Sequence, residues 1–133
     1  MGYVAITAKI MELLGEISGI EKLYAYNPNE LEVYPAVTVT AIGHKNRHND
    51  TASNIRSYQY LIRVFYRLDQ DDDAEGIVQD LTDQITEKLE ANVTSNPEWH
   101  LAKPTEAVFR TGDRELPILV SEITAIFETR VNR

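Results

Sequence analysis

The chain switches between two hydrophobic rhythms. Ile6, Ile10, Leu13, Leu14, Ile17 and Ile20 recur at steps of three and four, which places them on one face of a helix. Gly19 is the expected stop. Leu23 to Tyr26 reads as a short strand, and Asn27-Pro28-Asn29-Glu30 as a turn. From Ala36 to Ile42 the period drops to two, with Val37, Val39 and Ala41 alternating with Thr38 and Thr40. The alternation is strongest from Tyr58 to Leu68. Tyr58, Tyr60, Ile62, Val64, Tyr66 and Leu68 share one face; Gln59, Leu61, Arg63, Phe65 and Arg67 share the other. That second face mixes apolar and basic residues, as expected of a half-buried face or one covered by a partner.

A second helix is expected after Asp69-Gln70-Asp71-Asp72-Asp73. Asp72 and Glu75 fit a capping-box-like start, and acids suit the positive end of a helix. Ala74, Ile77, Val78, Leu81, Ile85 and Leu89 mark its apolar face. It should end near Asn92, with Ser95-Asn96-Pro97 as breaker. Trp99 to Thr105 reads as irregular. Glu106 to Thr111 and Ile118 to Arg130 read as strands joined through Gly112-Asp113, with Pro117 near the second start. Leu119, Ile123, Phe127 and Val131 share a face with the smaller Ser121, Ala125 and Thr129. The predicted order is α-β-β-β-α-β-β. Strands in runs separated by a helix imply an α+β fold, with a mostly antiparallel or mixed sheet of four to five strands and two helices packed on one face.

Between the two clearest strands lies a polar stretch, His44 to Arg56, which reads as a loop far longer than the usual hairpin connection. It departs from the rest of the chain in charge. The protein has 13 Lys and Arg against 21 Asp and Glu, a net charge of −8. This stretch instead carries His44, Lys45, Arg47, His48 and Arg56 against Asp50 alone. It is a candidate partner-binding surface, because no nucleophile or metal constellation accompanies it.

Size and composition narrow the options further. A chain of 133 residues is expected to form one domain with a core that needs no staples. There is no cysteine, hence no disulfide, thiolate nucleophile or Cys-ligated zinc. The acidic balance is poorly suited to sequence-specific or general nucleic-acid binding. The N-terminal stretch lacks the basic start, apolar block and cleavage site of a signal peptide, and no apolar run approaches the roughly 20 residues that span a bilayer. Without a secretion signal, Asn49-Asp50-Thr51 and Asn92-Val93-Thr94 read as chance matches to the glycosylation pattern.

Chemical motifs are mostly excluded. Asp69, Asp71 and Asp73 resemble the start of a calcium loop, but Ala74 stands where the sharp turn needs Gly and Asp80 where a bidentate Glu is usual. Helix capping explains the acids better. His44 and His48 have ligand spacing only on a helix, and their neighbours Asn46, Asn49 and Asp50 favour a loop; His100 is remote in sequence. The tyrosines fit sheet packing first and an oligomer interface second. Gly15 and Gly19 belong to a helix rather than a phosphate loop, and no Ser-His-acid set stands out. The expectation is a non-enzymatic protein with no cofactor, metal or membrane partner.

One resemblance extends over nearly the whole chain. Ile17-Ser18-Gly19-Ile20, then Val33-Tyr34-Pro35-Ala36-Val37-Thr38-Val39, the polar stretch, and Tyr60-Leu61-Ile62-Arg63-Val64-Phe65-Tyr66-Arg67 carry it. The Asp-rich helix start and the closing strands with Gly112-Asp113-Arg114-Glu115 continue it. Together they resemble the small tail-terminator or tail-completion proteins of long-tailed bacteriophages. The likeness lies in overall pattern and length, with no diagnostic motif and no catalytic residues. It implies a ring of identical subunits, expected to be a hexamer, at the end of the tail tube. The implied partners are the tail tube protein, head connector proteins and, as a further contact, the tape-measure protein. DNA would pass through the lumen, and the location would be the virion tail or neck, with assembly in the host cytoplasm. A head-tail connector or head-completion protein is the nearest alternative. A small ligand-binding or enzymatic α+β domain is the alternative from another class.

Overall fold

The computed structural model describes residues 2–48, 53–69, 72–92, 99, 101–111 and 117–132. Several sequence expectations therefore fall outside the described residues: those on Asp50 and the Asn49-Asp50-Thr51 triplet, Asp71, Val93-Thr94, Ser95-Asn96-Pro97, His100, and Gly112 to Glu115.

The protein is α+β. A helix, α1 (Tyr3–Leu14), is followed by strands β1 (Lys22–Tyr24), β2 (Ala36–His48) and β3 (Ser53–Arg67). A second helix, α2 (Ala74–Ala91), precedes strands β4 (Leu101–Thr111) and β5 (Ile118–Asn132). The five strands form one mixed sheet in the order β1-β2-β3-β5-β4. β1 runs parallel to β2, and every other pairing is antiparallel.

Both helices cover the same face of the sheet, because their apolar residues repeat at helical spacing while those of the strands repeat every second residue. Ile6, Ile10, Leu13 and Leu14 of α1, and Val78, Leu81, Ile85 and Leu89 of α2, are buried. They meet Val37 and Val39 of β2, Tyr60, Ile62 and Val64 of β3, and Ile123, Ala125 and Phe127 of β5 in one core. Register makes these strand residues a layer: Val39 stands beside Ile62, and Ile62 beside Ile123. A fully buried side chain of this kind contributes roughly 1.5–3 kcal/mol.

Polar atoms in this layer find partners. The Tyr60 hydroxyl donates to the Tyr3 carbonyl at 3.1 Å and lies 2.8 Å from the Thr7 hydroxyl. Thr82 Oγ1 lies 2.8 Å from the Val78 carbonyl and 2.7 Å from Ser121 Oγ, so Thr82 donates to the carbonyl and Ser121 donates to Thr82. Trp99 packs on Phe127 with ring centroids 4.6 Å apart and donates its indole N–H to the Asn92 carbonyl.

Three local expectations are corrected. α1 ends at Leu14, not near Gly19; the chain then leaves the helix, yet Ile17 still reaches the core, so its spacing imitates one more turn. α2 starts one residue later than the Asp72–Glu75 box implies, with Asp73 as N-cap. The Asp73 carboxylate lies over Gly76, where an added Cβ would stand 2.4 Å from its Oδ1. Leu101 to Thr105 is strand rather than irregular. Pro104 hides the alternation, and the register shifts between Pro104 and Glu106; both are tolerated because β4 is an edge strand.

Candidate functional site

The sheet is longer than its helical cover. The 15 residues of β3 extend about 50 Å, against about 27 Å for the 18 residues of α2. At one end Tyr3, the first residue of α1, closes the helical layer. Its ring packs edge-on against Tyr58 at 4.9 Å, and its hydroxyl lies 2.5 Å from His44 Nδ1. Beyond this point the ladder continues through Lys45↔Ser57, Asn46↔Arg56, Arg47↔Ile55 and His48↔Asn54. β5 accompanies it through Ser57↔Glu128 to Ser53↔Asn132. The expected long loop is therefore corrected: most of His44 to Arg56 is two arms of a three-stranded ribbon.

Backbone pairing, not side-chain pattern, makes these arms strands, which is why a polar sequence conceals them. The ribbon separates the candidate residues by face. His44 stands with Tyr58 on the helical side, while Lys45 is exposed on the opposite side beside Ser57. Arg56 donates to Asn46 Oδ1 at 2.7 Å and to the Tyr58 hydroxyl at 3.2 Å, both neutral groups. Lys45 and Arg56 form no ion pair among the described residues. Arg47 and His48 are placed by their backbones at the far end of β2. His44 and His48 sit on an extended strand, about 13 Å apart along it, and not on the helix that would give four-residue spacing its ligand geometry. Among the described residues, no group of three or more His, Asp or Glu side chains is placed to hold a metal.

The face away from the helices is only partly covered. Leu61, Arg63 and Phe65 of β3 stand beside Thr124, Glu122 and Val120 of β5. At its centre Glu122 accepts from Arg63 Nε at 2.8 Å and from Arg110 of β4. The two guanidiniums, Arg110 first, hold the Glu122 carboxyl below its ordinary range. Val108, beside Glu122, extends the apolar part of this face and is 45% exposed, and Ile42, at the register shift of β2, is 54% exposed.

At the end opposite the ribbon, residues 27–34 fold over this face and enclose a cavity of about 510 Å³. Its floor includes Phe65, Ile118 and Thr38, with Leu31 and Tyr34 from the overlying segment. Arg67 borders it with its guanidinium already engaged by Asp69, at 3.0 and 2.7 Å. Glu30 and Glu32, both exposed, supply acid charge at its border and form no ion pair among the described residues. Thr38 is only 1% exposed, and its Oγ1 has no hydrogen-bond partner among the described residues. No local pattern in the chain marks this cavity, because residues about 30 to 90 positions apart build it. The Asn-Pro-Asn-Glu turn signal marked only its lid-forming segment.

Cavity and ribbon thus occupy opposite ends of one ladder. Thr38 and His48 lie about 33 Å apart along β2. No protein-family model matches the chain, and no curated protein matches it.

Proposed function

We propose that this protein is a structural component of a long-tailed phage virion: a ring of identical subunits that ends tail-tube polymerisation and presents a surface for head joining. The observation that carries the reading is the ribbon, a stiff, basic projection on an otherwise acidic protein. Complementary charge sets orientation and association rate between protein partners, and a projecting ladder holds its contact residues in fixed order. The half-apolar outer sheet face supplies further area for subunit contact. An acidic exterior on the helical layer suits a passage through which DNA slides without sticking. The role is assembly, not catalysis, and the chain works in the virion tail or neck.

The test is electron microscopy of particles from a host in which this gene is deleted. Overlong, headless tails are expected. Tails of normal length that fail to join heads would transfer the protein to the connector class. Infectious particles of normal form would remove both assignments. A second measurement addresses the ribbon. Lys45→Glu with Arg47→Glu should weaken binding to tail tubes while the thermal melt stays within about 0.5 kcal/mol of wild type. Arg56 is left unchanged, because its bonds to Asn46 and Tyr58 give it a structural role as well.

A further inference from the structure

We infer that the cavity beneath residues 27–34 is a receptor for the basic β2–β3 ribbon of a second copy of this chain. The inference takes from the ring reading only that copies associate; where they touch rests on separate observations.

The first is the Thr38 hydroxyl. A buried hydroxyl without a partner loses its hydration and gains nothing in return. Thr38 is one of the residues lining the cavity, and its Oγ1 lies buried behind the wall, so a polar group bound there completes it only once the wall yields. The second is charge. Arg67 is neutralised by Asp69, which leaves Glu30 and Glu32 to set the sign of the cavity border. An acid-bordered cavity with an apolar floor of Phe65 and Ile118 fits a Lys or Arg side chain, whose aliphatic stem packs while its head meets carboxylate. The ribbon supplies such side chains: among the described residues Lys45 forms no ion pair and Arg56 bonds neutral groups, and Arg47 is alongside in sequence.

The third is geometry. Ribbon and cavity lie at opposite ends of the same hydrogen-bonded ladder, so no chain fills its own cavity. A second copy must do so, and every copy offers one ribbon and one cavity. Such a contact is heterologous: it propagates head to tail until the rotation per subunit closes a ring.

The chain has no cysteine, which gives a clean test. Two single-cysteine variants, Glu32→Cys and Lys45→Cys, are mixed and mildly oxidised. A disulfide-linked heterodimer is expected to dominate, and a double variant should give a ladder of multimers. Mixing Glu32→Cys with Glu87→Cys, on the exposed side of α2, sets the background. Linkage at background level, or a double variant that closes only on itself, overturns the inference. Charge exchange gives a second readout by sedimentation. Glu30→Lys with Glu32→Lys should weaken self-association at least 10-fold. Adding Lys45→Glu with Arg47→Glu as the mixed partner should restore it. Unrestored association overturns the inference even if the cross-link forms. Gene deletion reports on the ring cap independently. A cross-linked ladder with normal tails keeps the receptor and removes the cap, and overlong tails without the cross-link do the opposite.

Discussion

Two buried threonines, Thr82 on the helix α2 that covers one face of the sheet and Thr38 on the opposite face of β2, divide this protein's architecture. Thr82 belongs to the helix-covered side, where its hydroxyl is shared between the Val78 carbonyl and Ser121. Thr38 belongs to the other side, equally buried, and its hydroxyl has no hydrogen-bond partner among the described residues. The covered side is finished: apolar residues interlock and polar atoms such as the Tyr60 hydroxyl are paired. The outer side is not. It holds a central ion trio, a ring of partly exposed apolar residues and an unsatisfied hydroxyl at the cavity. The finished face serves stability, and the outer face leaves area that the proposed contact between copies would use.

That difference is open to attack by mutation. The largest effect should come from the covered side. Ile123→Ala empties space in a layer that is fully buried and should cost about 2–5 kcal/mol in chemical denaturation. A loss below 1 kcal/mol would mean the layer is loosely packed. Next come the threonines, which should move in opposite directions. Thr82→Val strands the Ser121 hydroxyl and should cost about 1–2 kcal/mol. Thr38→Val removes an unpaired buried hydroxyl and should stabilise the free chain by about 1 kcal/mol. A destabilising Thr38→Val would show that its hydroxyl is satisfied in the free protein. The smallest effect concerns the ion trio. The Glu122 carboxyl is held below its ordinary value of 4.5, chiefly by Arg110 and then by Arg63. Its contribution is therefore full above that value and is lost as pH falls through the depressed one. Glu122→Gln should cost no more than about 1 kcal/mol at pH 7 and should flatten the decline of the melt below pH 4.5. An unchanged acid decline would assign it to other carboxylates.

The covered side was legible in the chain because burial leaves a period. Tyr58 to Leu68 and the stepped aliphatics of both helices announced their faces, and the order of elements followed. What escaped notice formed without side-chain signal. His44 to Asn46 and Arg56 are polar on both faces and become strand through pairing with neighbours, so they read as loop. Pro104 disguised the start of β4. The cavity escaped entirely, since its acids, its orphan hydroxyl and its apolar floor come from separate parts of the chain. The charge reversal around Lys45 and Arg47 was visible, but not that it sits at the end of a rigid ladder.

That ladder has a mechanical consequence. β3 is bonded to β2 on one side and β5 on the other along nearly its whole length. Its hydrogen bonds lie across the strand direction. A pull between the ribbon end and the cavity end therefore loads them together, in shear, rather than opening them one after another as in a zipper. The ladder acts as a tie rod, and in the proposed assembly of copies tension would travel along it without first unfolding the helices.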